Sequence, residues 1–133
     1  AVAKMLQDRD VDAIELSGGT ALGVALNKLE ISFCPLGSSA PLWREAAELY
    51  KQNIETPLIL VGGTRSMETA EDLIDSGVAD FVSIGRPLIR EPDLIARWQS
   101  GNRSKAACVS GNQYGWGGFE GGGVRCVHVN GAH

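Results

Sequence analysis

An α/β fold built from parallel βα units is what the sequence predicts, and three observations carry that reading. Three short apolar runs, centred near Ile14, Ile59 and Val82, each close on glycine within two residues. The stretches between and after them place apolar residues at helical spacing, and strand alternating with helix is the pattern of repeated βαβ units. The runs are nearly continuous rather than alternating, as parallel strands covered on both faces tend to be. Periodicity leaves two architectures open, a doubly wound open sheet and part of a barrel.

Taken in order, residues 1–7 carry Val2, Met5 and Leu6 at helical spacing and read as the end of an amphipathic helix closing in the polar run 8–10. Val11, Ala13, Ile14 and Leu16 form the first strand, interrupted by Asp12 and Glu15 and ended by Ser17-Gly18-Gly19. Residues 20–40 lack a period and read as a long loop. Pro41 suits the first turn of the next helix, where its missing N–H costs little. That helix is expected to bury Leu42, Ala46, Leu49 and Tyr50 and to expose Arg44, Glu45, Glu48 and Lys51. Leu58 to Val61 is the second strand, halted by Gly62-Gly63. Ser66 is placed to cap a helix that turns Met67, Ala70, Leu73 and Ile74 inward, with Gly77 as its stop. The third strand spans 80–84 and ends at Gly85; a last helix runs from about Pro92 through Leu94, Ile95 and Trp98 to Gly101. Eight of the seventeen glycines lie between Gly111 and Gly131, so residues 1–104 are expected to form the folded domain and 105–133 an irregular, glycine-rich tail.

The 133 residues leave room for one compact domain. Sixteen acidic against twelve basic residues give a net charge of -4, which disfavours a nucleic-acid partner. The strongest apolar stretch, residues 57–61, is far short of a membrane span. Three cysteines, an odd number, suit free thiols in a reducing compartment, so a cytoplasmic location is expected. The chain opens on Ala1 directly in helical pattern and is expected to be a piece of something longer.

The chemistry concentrates at two strand ends, Val61-Gly62-Gly63-Thr64-Arg65 and Ile84-Gly85-Arg86-Pro87. In parallel α/β folds ligands bind at the carboxyl ends of strands, where glycine lets backbone N–H groups approach a phosphate closely. On neighbouring strands roughly 4.8 Å apart the two loops could share one anion, with Arg86 adding a bidentate, charge-assisted contact. In (β/α)₈ barrels the usual phosphate site is built from the loops after strands seven and eight. The plain alternative is that these glycines only end strands and turn the chain. Arg65 reads either as a ligand contact or as a solvated surface residue, and the second is expected. Cys108, Cys126, His128 and His133 are of the types that ligate zinc but lack a Cys-x₂-Cys pair, so no metal is expected. Cys34 has no neighbouring base to lower its pKa and reads as inert. Trp43, Trp98 and Trp116 could stack on a flavin; packing between helix and sheet is expected of the first two. Glu15 faces either a barrel lumen or solvent at a strand edge, the latter favoured.

The stretches 57–65, 70–74 and 79–89, followed by Pro92-Asp93-Leu94, closely resemble the carboxyl-terminal part of the old yellow enzyme family, the NADH:flavin oxidoreductases. The resemblance spans about residues 1–110 and is dense from 57 to 103. It implies an FMN-containing TIM barrel that takes hydride from NAD(P)H and passes it to a small-molecule electron acceptor. The strands near Leu16, Leu58 and Phe81 would then be barrel strands six, seven and eight, and Gly62, Gly63, Gly85 and Arg86 would hold the FMN phosphate. Relatives with an iron–sulfur cluster follow strand eight with Cys-x-x-Cys-Asn-x-Cys; here the stretch is Cys108-Val109-Ser110-Gly111-Asn112-Gln113-Tyr114, and no cluster is expected. The family's flavin-ring, substrate and proton-donor residues lie upstream of the matching part, so no catalytic residue is expected in this chain.

A barrel of this type takes ~250 residues, about twice this length, so the sheet is expected to be incomplete, with raw edges and lumen residues such as Ile14 and Ile59 lacking an opposite layer. A homo-oligomer or a complementary barrel fragment would complete it. The competing expectation is a non-catalytic phosphate-binding or interaction module whose open sheet edge pairs with another chain.

Overall fold

The structure is a computed structural model and describes residues 1–17, 43–109, 124 and 126. Helix α1 (Val2–Gln7) leads into strand β1 (Ile14–Leu16); α2 (Arg44–Lys51) precedes β2 (Leu58–Val61); α3 (Met67–Asp75) precedes β3 (Phe81–Ser83); α4 (Arg86–Arg90) and α5 (Leu94–Gln99) follow. The three strands form one parallel sheet in the order β1-β2-β3. Ile14, Glu15 and Leu16 stand opposite Leu58, Ile59 and Leu60, and Ile59, Leu60 and Val61 opposite Phe81, Val82 and Ser83.

Side chains alternate across a strand, so this register sorts the sheet into two faces. Leu58 and Leu60, with Ile14, Leu16 and Val82, pack against Ala47, Tyr50, Ile54, Leu73, Val78 and Ala79 from the helical layer. The row Glu15, Ile59, Phe81 lies on the other face, where Glu15 is exposed and Phe81 is 57% exposed. Two expectations are corrected. Nearly continuous apolar sequence does not here mean strands covered on both faces, and Ile14 belongs to the helix-facing core rather than to the side it was to share with Ile59. Each follows from the two-residue period, which turns 14 and 16 opposite to 15.

Helix α2 buries Ala47 and Tyr50 instead of Ala46 and Leu49. Trp43, Ala47, Tyr50 and Ile54 form a stripe spaced by four, three and four residues that faces β2, while Ala46 and Leu49 sit on the flank toward α1. Pro41 and Leu42 lie outside the described residues. The Tyr50 hydroxyl donates to the Thr56 carbonyl at 2.9 Å, which closes the turn into β2. Burial foremost, and the Asp80 charge next, push the Tyr50 phenol above its ordinary pKa.

Helix α3 begins as anticipated: Ser66 Oγ accepts the Thr69 N–H at 3.2 Å. Its end is closed when Gly77, Val78 and Ala79 donate back to the carbonyls of Ile74 and Leu73. Leu73 is fully buried, whereas Ile74, expected inward, is partly exposed on the flank toward α5. On the far side of α1, Val2 and Met5 are also exposed, Met5 by 68%, so its apolar face is not covered. No helix among the described residues is long and apolar enough to cross a membrane.

The short helix α4 went unanticipated. Five residues give little more than one turn, too few for a period to register, and its local marks are Pro87 in the first turn and the Arg86–Arg90 length. Beyond α5 the chain has no helix or strand through 109, but it is tied down; of the segment from 105 on, expected to be an irregular tail, only 105–109, 124 and 126 are among the described residues. Ser104 O accepts from Trp98 Nε1 at 3.0 Å and Arg97 Nη1 at 2.9 Å; Ala106 N–H donates to Arg65 O at 2.8 Å; Ala107 N–H donates to Glu91 Oε2 at 2.6 Å. Arg65 Nη1 donates to Cys108 O. Ala106 and Cys108 are buried in consequence, Ala106 in a second apolar cluster with Leu94 and Trp98. Arg103 bridges Glu68 at 3.1 Å and also pairs with Glu71, fastening the same segment to α3.

Asp80 fixes the start of β3 against the start of β2. Its N–H donates to Leu58 O at 3.0 Å, its Oδ2 accepts the Leu58 N–H at 2.7 Å, and Lys51 Nζ lies 2.8 Å from the same oxygen. The Lys51 ammonium first, then the Leu58 N–H, hold the Asp80 carboxyl below its usual pKa.

Two consequences are measurable. A depressed carboxyl contributes stability that is complete above the unfolded value of ~3.9 and is lost as pH falls through the folded value. Asp80→Asn should therefore destabilise the protein by about 0.5–1 kcal/mol at pH 7, after discount for solvent screening, with the gap closing as pH falls below the unfolded value and through the depressed folded one, as urea unfolding across a pH series would reveal. Arg65→Met should speed amide exchange at Ala106 to Cys108 by roughly tenfold or more, the effect of losing a charge-assisted bond, while protection in β2 is unchanged.

Candidate anion site at the strand ends

Parallel strands in register end level with one another. Val61 and Ser83 are partners, so the residues that follow, Gly62-Gly63 and Ile84-Gly85, leave the sheet at the same edge. Gly62 and Gly63 both have left-handed backbones, with φ of 102° and 81°. Two successive residues there would be strained with any side chain, so the turn out of β2 depends on this pair. Gly85, at φ -103°, precedes α4, and a Cβ built on it would meet no protein atom within 4 Å. Packing within the protein therefore does not select glycine at 85.

The two loops enclose a cavity of about 260 Å³ lined by residues 61–65, 83–87 and Ile89. The four residues singled out from sequence, Gly62, Gly63, Gly85 and Arg86, all line it. So do two that sequence reasoning set aside or overlooked, Arg65 and Thr64. Arg65 was expected on a solvated surface; it is 5% exposed, because residues 106–108 cross behind the loop and engage both its carbonyl and its guanidinium. No local signal marks such a contact, whose partner lies 43 residues away. Thr64 is 4% exposed, and its Oγ1 is buried with no hydrogen-bond partner among the described residues.

Among the described residues, the cavity lining brings two arginines and no carboxylate, a local balance opposite to that of the chain. Fixed positive charge on the lining suits an anion. Pockets for whole cofactors usually exceed ~300 Å³, so this volume matches one end of such a molecule rather than all of it. The residues present thus fit a phosphate group: backbone opened by glycine, an arginine, and an orphaned hydroxyl.

Other candidates lie elsewhere. Cys34, Trp116, His128 and His133 are outside the described residues. Cys108 is buried, and Cys126 Sγ lies 3.5 Å from Arg90 Nη1. Among the described residues, no three His, Cys, Asp or Glu side chains converge as a metal site. Trp43 packs on the sheet core, and Trp98 packs with Leu94, Met67, Ile84 and Leu88, so both are structural.

Comparison with known proteins agrees with the strand-end motifs. The sequence model of the NADH:flavin oxidoreductase / NADH oxidase family matches residues 24–105. The chain is similar to an NADH oxidase of Thermoanaerobacter brockii, at 34% identity over 113 residues, covering 84% of this chain and 16% of that protein. It is similar to a 4,4'-dithiodibutanoate disulfide reductase of Rhodococcus erythropolis, at 25% identity over 138 residues, covering 84% of this chain and 34% of that protein. A shorter likeness, 44% over 46 residues, covering 35% of this chain and 18% of that protein, links it to the imidazole glycerol phosphate synthase subunit HisF of Campylobacter lari. The chain spans about a third or less of the length of each of these relatives. The three-stranded parallel sheet is consistent with part of a TIM barrel, and with the match extending over most of its described length, the chain belongs to the NADH:flavin oxidoreductase / NADH oxidase family.

Proposed function

We propose that this chain supplies the FMN phosphate-binding part of an oxidoreductase of the old yellow enzyme type, in which its strands correspond to barrel strands six to eight. The family's cofactor is FMN and its reductant NADH. The observation that carries the reading is that Gly62, Gly63, Gly85 and Arg86, from two different strand ends, line one cavity that bears arginine and no carboxylate. Backbone N–H groups of the Gly62-Gly63 turn and of Gly85 would face the phosphate, and Arg86 would pair with it. The open space around Gly85 supports this, since it leaves the approach to that backbone unobstructed. FMN, when bound, supplies the hydride chemistry. This chain's residues anchor its charged end, keep carboxylates away from it and fix its distance from the sheet.

A partner is part of the reading. The edges of β1 and β3, the exposed Phe81 and the uncovered face of α1 suit completion by a second copy or by a complementary barrel segment, in the cytoplasm, where the thiols stay reduced. A small-molecule electron acceptor would take the hydride.

A second reading is a phosphate-binding or interaction module without redox activity. The HisF likeness favours it, because that protein's name carries a phosphate ester and no flavin.

Titration separates the two. The first reading expects purified protein to take up FMN, to quench its fluorescence, and to pass electrons from NADH to it. Uptake without reduction by NADH supports the second reading, and no uptake overturns the first. Arg86→Ala should weaken FMN binding by roughly 10- to 100-fold, the loss of a charge-assisted contact of about 1.5–3 kcal/mol, and an unchanged dissociation constant would remove Arg86 from the site.

A further inference from the structure

A buried polar group on the cavity lining is left over by the strand-end motifs. Thr64 sits between the Gly62-Gly63 turn and Arg65, lines the cavity, is 4% exposed, and leaves its Oγ1 buried without a partner. Folded proteins rarely leave a buried hydroxyl unsatisfied, since it has given up its bonds to water for nothing. Several other hydroxyls of the described residues are bonded. Ser66 Oγ and Thr69 Oγ1 bond one another at 2.9 Å, Tyr50 Oη reaches Thr56 O, and Ser100 Oγ reaches Arg97 O at 2.8 Å. Among the described residues, Thr64 Oγ1 is thus a buried hydroxyl on the cavity lining that has no hydrogen-bond partner.

We propose that the Thr64 hydroxyl donates to a phosphate oxygen in this cavity and thereby makes the site discriminate a phosphate monoester from the same ligand lacking its phosphate. The inference rests on the reading that the cavity takes the FMN phosphate. Three features support it. The hydroxyl has an O–H to give and no competing acceptor. Among the described residues, the cavity lining offers no carboxylate that would repel an anion or claim that O–H. Threonine also has more than one accessible χ1 well, so a single rotamer step exchanges Oγ1 with Cγ2 and turns the hydroxyl toward an occupant without moving the backbone. The preference follows from charge: a donor bonded to an anionic oxygen is worth much more than one bonded to a neutral alcohol. Riboflavin is FMN without its phosphate and is the matched comparison.

The test is a titration of FMN and of riboflavin into wild-type protein, Thr64→Val and Thr64→Ser, followed by flavin fluorescence, together with thermal unfolding in the absence of flavin. The wild type should favour FMN. Thr64→Val should lose roughly tenfold or more in FMN affinity with riboflavin affinity unchanged, and Thr64→Ser should keep most of the FMN affinity. Without ligand, Thr64→Val should melt no lower than the wild type, because valine fills the same space and removes an unsatisfied polar atom. Equal FMN affinity in wild type and Thr64→Val, or equal losses for both flavins, overturns the role of Thr64 while a wild-type preference for FMN keeps the site reading intact. A markedly lower melting temperature for Thr64→Val assigns the residue to packing and overturns the proposal. A wild type that holds the two flavins equally, or neither, overturns the site reading and this inference with it.

Discussion

The pairing of β2 with β3 is the constraint on which the remaining structure depends. Three partner pairs, Ile59 with Phe81, Leu60 with Val82 and Val61 with Ser83, decide which side chains meet the helices and at what height each strand stops. A slip of one residue would turn Leu60 or Val82 out of the core and set one loop a residue ahead of the other. Asp80 guards against that slip at the entry end, where its backbone and carboxylate both bond Leu58. At the exit end the two glycine loops arrive together, and the cavity is the result.

Charge is distributed to suit that cavity. The chain carries a net charge of -4, yet several of its acidic side chains are paired on the outer surface: Glu48 and Asp72 with Arg44, Asp80 with Lys51, Glu91 with Arg97, Glu68 and Glu71 with Arg103. Such pairs contribute little stability one by one. Their larger effect is on the local field, because these carboxylates are answered by cations on the helical side, while the described lining of the strand-end cavity carries Arg65 and Arg86.

Much of this was legible in the sequence, and the parts that were not share a cause. The strand cores, the Ser66 cap and the four residues Gly62, Gly63, Gly85 and Arg86 are marked by patterns within a few residues, and the resemblance to flavin oxidoreductases rests on the same stretches. The buried stripe of α2 escaped because Ala46 and Ala47 are equally apolar, and only the position of β2 decides which of them faces the core. Glycine within two residues of Leu16, Val61 and Ser83 marks where the strands stop but carries no information on which face Glu15 takes. Arg65 is the plainest case: its burial is created by residues 106–108, and nothing adjacent in sequence distinguishes it from a surface arginine.

That separation of 43 residues also has a consequence in time. At the usual pace of synthesis, ~5–20 residues per second, roughly 2–9 s pass between the making of Arg65 and of Cys108. During that interval the sheet and α3 can already be in place, but the loop that lines the cavity has no backing. The pocket is therefore a late product of the nascent chain, completed only when a stretch without helix or strand comes round behind it and takes hold of one arginine.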